Sequence, residues 1–125
     1  MEKIKYHNFK ELIVWQRSKE FVKHLFLLWE SVNTNYSALY NQIMRSALSI
    51  PSNIAEGCGR GTDKQLSHFL NIAYGSTCEL ETQLIIAFEL QFLEITKKDE
   101  ILNELNAIQK MIIGLQKSFL QKSEY

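Results

Sequence analysis

The chain has few residues that interrupt helices and no apolar run long enough to cross a membrane. Its 125 residues include one proline and five glycines, so long helices meet little local opposition. Its longest apolar runs, LFLLW and LIIAF, are far shorter than the roughly 20 residues of a transmembrane helix. The start, MEKIKYHNFKEL, lacks the apolar stretch of a secretory signal. No membrane association is therefore predicted.

Cysteine and net charge are scarce as well. Cys58 and Cys78 are too few for a disulfide framework or a zinc pattern, which predicts reduced thiols in a cytoplasmic protein. Lys and Arg number 14 and Asp and Glu number 14, so the chain lacks the strongly basic character typical of nucleic-acid-binding domains. The charge is uneven, with eight basic and five acidic residues in 1–60 but six and nine in 61–125.

Apolar residues recur at steps of three and four along most of the chain, which predicts amphipathic helices. Thr62 and Thr96 are predicted N-caps of the last two helices, and Asn8 of the first. Short links between four helices predict an all-α fold, an antiparallel up-down-up-down four-helix bundle. It forms a single domain over 1–125, with helices at roughly 9–32, 37–58, 63–90 and 97–121.

Two apolar segments are wider than the stripe that a lone bundle buries. FVKHLFLLW covers much of the first helix, and LIIAFELQFL is apolar nearly all round at the end of the third. A monomer would expose such surfaces, and large exposed apolar patches usually mark interfaces. This pattern predicts a homo-oligomer. The alternative is that some of these side chains cover loops.

The only proline, Pro51, lies inside the second predicted helix. Proline removes the bond to the carbonyl four residues back, here that of Ala47, which predicts a kink or a one-turn bulge. Ser49, Ser52 or Asn53 could supply a replacement donor. The glycines of GCGRG, beginning at Gly57, are predicted to end the helix because glycine adopts the left-handed conformation at low cost.

A line of polar residues follows one face of the second helix. One interpretation is a surface that binds a partner chain or an anion. The other is a structural hydrogen-bonded network between the second and third helices, with Arg45 paired to Glu79 or Glu81. The line consists of Gln42, Arg45, Ser49, Asn53, Glu56 and Arg60.

No pattern of reaction chemistry is present, so we expect a protein without catalytic activity, cofactor, metal or small-molecule substrate. GCGRGT lacks the preceding strand and the Gly-Lys-Ser/Thr ending of a phosphate loop. Di-iron bundles use Glu-x-x-His, whereas Glu20 precedes His24 by four. Neither cysteine has a recognisable base and orienting group.

Positive charge is concentrated on the first predicted helix. In the predicted homo-oligomer, such a stripe would repeat from copy to copy into a positive belt that attracts RNA or DNA. The alternative is a solvated face on which acids such as Glu11 and Glu20 alternate with the bases. The candidate nucleic-acid-facing residues are Lys10, Arg17, Lys19 and Lys23.

Three segments together resemble one bacterial family: FKELIVWQRSKEF, LYNQIMRSALSIPSNIAEGCGR and HFLNIAYGSTCELETQL. They are similar to the four-helix-bundle proteins encoded within intervening sequences of 23S ribosomal RNA genes. Relatives include the accessory variability determinant of diversity-generating retroelements. The motif residues in this chain are Gln42, Arg45, Ser49, Pro51, Asn53, Glu56, Gly57, Ser76, Glu79 and Glu81.

The resemblance implies a left-handed four-helix bundle that assembles into a ring, commonly a pentamer, with an RNA- or ribosome-associated scaffolding role. It also implies an alternative, because the retroelement relatives work with a reverse transcriptase and nucleic acid. In that case the protein would be a protein-interaction module, such as an accessory partner of a reverse transcriptase.

Overall fold

Four α-helices make up most of the structure. The computed structural model describes residues 4–30 and 37–123. Within these residues there is no strand, so the fold is the all-α, four-helix arrangement that the periodicity predicts. The helices are α1 (Ile13–Glu30), α2 (Ser37–Cys58), α3 (Asp63–Glu89) and α4 (Lys98–Ser123), and 3₁₀ turns at Phe9–Glu11 and Ile95–Lys97 precede α1 and α4.

Contacts between successive helices run in opposite sequence order, so α2, α3 and α4 alternate in direction. The pairs that define this order are Arg45–Glu79 and Ser49–Ser76 between α2 and α3, and Gln109–Glu81 and Gln116–Asn71 between α3 and α4. The left-handed sense of the bundle stays a prediction.

The predicted apolar faces form one hydrophobic core between the helices. Each fully buried Leu or Ile side chain stabilises the fold by about 1.5–3 kcal/mol relative to an exposed position. The periodic positions that are buried in this way are Leu25 of α1, Ile43, Ile50 and Ile54 of α2, Leu66, Leu70, Leu80 and Leu84 of α3, and Ile101 and Leu105 of α4.

The first helix begins later than predicted. Asn8 does act as a cap, but of the 3₁₀ turn Phe9–Glu11, where its side chain accepts a hydrogen bond from the Lys10 N–H. Leu12 then has an extended backbone with ψ of 125°, and α1 begins at Ile13. The extended residue lets the Phe9 ring stack edge-on against Trp15, with 5.0 Å between centroids. The predicted end, near residue 32, lies outside the described residues.

The two predicted threonine caps differ in outcome. Thr62 is confirmed, because its hydroxyl accepts a 3.1 Å hydrogen bond from the Gln65 N–H at the start of α3. The predicted cap at Thr96 is wrong, because Thr96 lies inside the 3₁₀ turn Ile95–Lys97. That turn adds a tight segment ahead of α4, which moves the α-helical start to Lys98.

Helix α2 continues through Pro51 as an uninterrupted α-helix, so the predicted one-turn bulge is wrong. The Asn53 side chain donates 2.8 Å hydrogen bonds to the carbonyl and the hydroxyl of Ser49. A side-chain donor therefore does bind a carbonyl near the proline, as predicted. The carbonyl is that of Ser49, whereas the prediction concerned that of Ala47. These bonds support the helix across the position that proline weakens.

The glycines after Pro51 have different roles from the one predicted. Gly57 lies within α2, and a Cβ atom there would come within 2.9 Å of Leu66 Cδ1 and Phe69 Cβ. Its absent side chain lets α2 and α3 approach closely. Gly59 has no positive φ, and Gly61 alone among the described glycines adopts one, of 90°. Only Gly61 therefore uses the left-handed conformation that was predicted for the group.

Helix α3 ends in a Schellman motif without glycine. The Phe92 N–H donates to the Ala87 carbonyl at 2.9 Å, and the Gln91 N–H donates to the Phe88 carbonyl at 3.0 Å. Gln91 occupies the left-handed position with φ of 63°. A side chain in this conformation costs about 1 kcal/mol relative to glycine.

Within residues 4–30 and 37–123, none of the helices combines the length and the apolar content that crossing a bilayer requires.

Candidate interaction surfaces

The centre of the predicted polar line lies in the contact between α2 and α3. The hydroxyls of Ser49 and Ser76 are 2.7 Å apart, and the Asn53 amide completes the group by donating to Ser49. These side chains are buried or half-buried. The two small hydroxyl groups satisfy each other's hydrogen-bonding capacity and let the helices stay close. This arrangement matches the structural interpretation of the polar line.

Arg45 lies on the surface at the edge of this contact. Its guanidinium pairs with Glu79 at 3.2 Å and also donates to Gln42 at 3.0 Å. The Arg45 and Glu79 side chains are 69% and 47% exposed, so water screens their attraction. Exposed pairs of this kind stabilise a fold by about 1 kcal/mol or less. The pairing matches the structural interpretation, although the predicted network is not a buried one.

Glu81, the other partner considered for Arg45, lies on a different side of α3. It accepts a 3.1 Å hydrogen bond from Gln109 of α4. The structure thus assigns the two acids of this segment to different helix pairs, with Glu79 toward α2 and Glu81 toward α4.

The last members of the line lie at the end of α2. Glu56 and Arg60 form an ion pair one helical turn apart, at 2.5 Å. The Arg60 guanidinium also lies over the Phe69 ring, 4.9 Å from its centroid. These contacts extend the polar line from the contact between α2 and α3 to the turn between the two helices. Its role in binding a partner stays a prediction.

Ion pairs within the chain largely neutralise the predicted basic stripe of α1. Arg17 makes a two-point ion pair with Glu104 of α4, and hydrogen bonding to Glu104 raises the pKa of Arg17. Lys19 and Lys23 share the carboxylate of Glu20, at 3.7 and 3.3 Å. This arrangement matches the alternative of a solvated face with alternating charges.

The remaining member of that stripe, Lys10, lies outside α1, on the 3₁₀ turn, with its ammonium 5.9 Å from the centroid of the Phe9 ring. The four cations therefore do not share one face, and their role in contacting nucleic acid stays a prediction.

A purely apolar groove opens between α1 and α2 and encloses about 440 Å³. Phe26 and Leu27 of α1 are 46% and 63% exposed at its rim, and Leu48 of α2 is 53% exposed. Val22, Lys23, Tyr40 and Met44 complete the lining, and the surface that these residues present to the groove is apolar. These exposed side chains come from the FVKHLFLLW segment and its neighbours, where the sequence predicts a surplus of apolar surface.

A second apolar patch lies at the end of α3. Ile86 and Leu90, one helical turn apart, are both more than two-fifths exposed. They belong to the LIIAFELQFL segment, whose other members Leu84, Ala87, Phe88 and Leu93 are buried in the core. This segment therefore supplies both core and surface.

A larger, mixed groove of about 740 Å³ lies between α1 and α4. Its lining combines apolar groups with acids and bases, and the Arg17–Glu104 pair lies along it. The other lining residues are Glu20, Phe21, Lys23, His24, Leu27, Glu100, Ile101, Asn103 and Ala107.

Sequence reasoning missed one surface, where residues 4–8 lie across the turn between α2 and α3. The Lys5 N–H donates to the Gly61 carbonyl at 2.7 Å, and the His7 N–H donates to the Cys58 carbonyl at 3.1 Å. The His7 ring lies 3.6 Å from the Asp63 carboxylate and edge-on to Phe119. Periodicity carries no signal for such a segment, since it is neither helix nor strand.

The two cysteines are both free and differ in their surroundings. Cys58 is buried, and burial raises the pKa of its thiol, while Cys78 is exposed on α3. Among the described residues, no three His, Cys, Asp or Glu side chains cluster closely enough to hold a metal ion.

The fold and these surfaces define the class: an all-α protein of four helices with exposed grooves between them. Residues 10–114 match the family of the 23S rRNA-intervening sequence protein. The chain therefore belongs to this family, in agreement with the resemblance of its motifs.

One solved structure is also similar. It is a protein of unknown function from the S23 ribosomal protein family of Bacteroides thetaiotaomicron, 26% identical, with a TM-score of 0.76. The match covers 84% of this chain and 96% of that one. Among curated proteins, no match was found.

Proposed function

We propose that this protein is a cytoplasmic, non-enzymatic scaffold that assembles with itself into a ring, a pentamer, and associates with RNA. The observation that carries the proposal is the apolar groove between α1 and α2, with Phe26, Leu27 and Leu48 on its rim. Burying such side chains in an interface gains roughly 25 cal/mol per Å² of apolar surface.

The second apolar patch supports a ring over a two-fold dimer. Ile86 and Leu90 lie at the end of α3, and neither lines the groove between α1 and α2. When one copy uses two different patches, contacts form between unlike surfaces, and such contacts generate closed rings or filaments. A second copy of this chain is thus a suitable occupant of the groove.

Association with RNA is supported by the family, whose name refers to intervening sequences of 23S rRNA, and by the similar S23 ribosomal protein family member. The chain has no net charge, so binding would depend on a local surface. A gel-shift titration against structured RNA at several salt concentrations tests this part. Charge-driven binding must weaken steeply as salt rises, and absence of binding at low salt would exclude it.

Sedimentation velocity tests the assembly with two matched variants. Leu27→Glu places a charge at the groove, and we expect it to dissociate the oligomer. Ile13→Glu is the control, since Ile13 lies on the same helix and is 62% exposed, as against 63% for Leu27. A wild-type monomer at micromolar concentration would overturn the proposal, as would equal dissociation of both variants.

A protein-interaction module, for example an accessory partner of a reverse transcriptase, is the second candidate. The mixed groove between α1 and α4 favours it, because its volume and lining suit an amphipathic helix of another protein. Ala107→Trp would fill this groove. If Ala107→Trp abolishes binding of a protein partner and leaves RNA binding unchanged, the second candidate is supported. If it abolishes RNA binding and leaves the protein partner bound, the second candidate is excluded.

A further inference from the structure

The segment of residues 4–8 is fixed against the α2–α3 turn at one end of the bundle. Backbone hydrogen bonds from Lys5 to Gly61 and from His7 to Cys58 hold it there. The His7 side chain adds contacts to Asp63 of α3 and Phe119 of α4. The main chain of the segment is thus held beside the turn. We call the exposed residues of this end the arm–turn surface: Lys5 and Tyr6 of the segment, Arg60 of the turn, and Lys64 and His68 near the start of α3.

Two cations of this surface have no acidic partner among residues 4–30 and 37–123. Lys5 and Lys64 are exposed, and neither forms an ion pair with any residue that the structure describes. The third cation, Arg60, does form an ion pair, with Glu56. This differs from α1, where Lys19 and Lys23 both lie against Glu20. Uncompensated cations attract phosphate more strongly than paired ones do.

Aromatic rings lie among these cations. Tyr6 is 68% exposed, and its ring lies over Gly61, where an added Cβ atom would be 3.4 Å away. His68 is edge-on to Phe69, with 5.3 Å between centroids, and Arg60 covers the same ring. Exposed planar groups beside cations are the arrangement on which unpaired bases stack while their phosphates are neutralised.

The opposite end of the bundle carries the opposite charge. Near the start of α4, acids outnumber Lys97 and Lys98, and the exposed acids of this end include Glu89, Glu94, Asp99 and Glu100. The two ends therefore differ in potential although the chain is neutral. This polarity would direct a polyanion to the arm–turn surface.

We propose that the arm–turn surface binds single-stranded RNA, with phosphates on Lys5 and Lys64 and a base stacked on Tyr6. This inference rests on the proposed association with RNA and names the surface that performs it. A duplex keeps its bases stacked and cannot use the Tyr6 ring, so single strands are the preferred form.

Fluorescence anisotropy with a short labelled oligouridylate, over a range of salt concentrations, tests the proposal. Lys5→Gln/Lys64→Gln should reduce the magnitude of the slope of log K against log salt by about 1.4, since each phosphate contact on a single strand contributes about 0.7. Tyr6→Ala should weaken binding about 10-fold without changing that slope. Lys97→Gln/Lys98→Gln removes the same charge from the acidic end and should bind like wild type.

The outcomes separate this inference from the proposed function. If the wild type binds no RNA at low salt, the association with RNA fails and this inference fails with it. If it binds while the arm–turn variants match wild type, or Lys97→Gln/Lys98→Gln loses as much, only the arm–turn surface is wrong. Preference for a duplex over the single strand would also overturn it. Thermal melting of each variant verifies that the fold is intact.

Discussion

The contact between α2 and α3 differs sharply from the surroundings of α1. Gly57 lets α2 and α3 approach closely, and the Ser49 and Ser76 hydroxyls satisfy each other between them. Helix α1 instead borders open grooves on both sides, and Leu27 lines both. The contact between α2 and α3 is thus closely packed and satisfied within one chain, whereas the groove beside α1 leaves apolar surface that a second molecule can cover.

The largest expected effect comes from shortening one leucine in each of these two regions and comparing the losses in stability. Leu66→Ala in the buried contact should cost about 2–5 kcal/mol of unfolding free energy at any protein concentration. Leu27→Ala on α1 should cost no more than about 0.5 kcal/mol in the dissociated subunit. Urea denaturation at two protein concentrations measures both, and a concentration-dependent loss for Leu27→Ala would place it in the oligomer interface. Equal losses for the two variants would contradict the comparison.

A smaller effect is expected from two glycine substitutions in helices. Gly57→Ala inserts a methyl group 2.9 Å from Phe69 Cβ, which must shift, and should cost about 1–3 kcal/mol. Gly75→Ala is the control, because nothing lies within 4 Å of its Cβ position, and should stabilise α3 by up to about 1 kcal/mol. A lower melting temperature for Gly57→Ala together with a higher one for Gly75→Ala would support close packing at Gly57 and not at Gly75. A neutral Gly57→Ala would mean that α2 and α3 can separate without cost.

The end of α3 offers a stabilising change. Gln91→Gly should raise the unfolding free energy by about 0.5–1 kcal/mol, because glycine adopts the left-handed conformation without steric cost but loses more entropy on folding. Gln91→Ala provides the control, since it shortens the side chain and keeps the strain. If both variants gain equally in chemical denaturation, the backbone conformation is not the cause.

The smallest effect is expected at the surface pair beside the α2–α3 contact. Arg45→Met should lower stability by about 1 kcal/mol or less, because the ion pair with Glu79 is exposed. Comparison with Glu79→Gln and the double variant in a mutant cycle isolates the pair. An unchanged melting temperature and oligomer, with loss of partner binding alone, would instead favour the functional interpretation of the polar line.

Local patterns were enough for the helices and the core. Steps of three and four placed Leu70, Leu84 and Leu105 in the interior, where all three are fully buried. The Thr62 cap was also visible, since it depends on a residue only three positions away. Such features follow from backbone periodicity and nearest neighbours, which any stretch of sequence displays.

The candidate surfaces were less predictable. The rotation of α3 between its two neighbours decides which acid faces which helix. It brings Glu79 to Arg45 of α2 and Glu81 to Gln109 of α4. The neutralisation of Arg17 depends on Glu104, which lies far along the chain. Neither the rotation nor the long-range pairing leaves a trace in the spacing of residues.

By itself, the sequence determined four amphipathic helices with their core-facing positions and a surplus of apolar surface on α1, since these follow from residue spacing along each helix. It also determined the family, because motifs in three segments carry the resemblance. Only the tertiary structure decided that Gly57 serves close packing, that Gln91 caps α3, and that residues 4–8 meet the α2–α3 turn. The physical reason is that these features depend on distances between separate elements, and packing of the whole chain sets those distances.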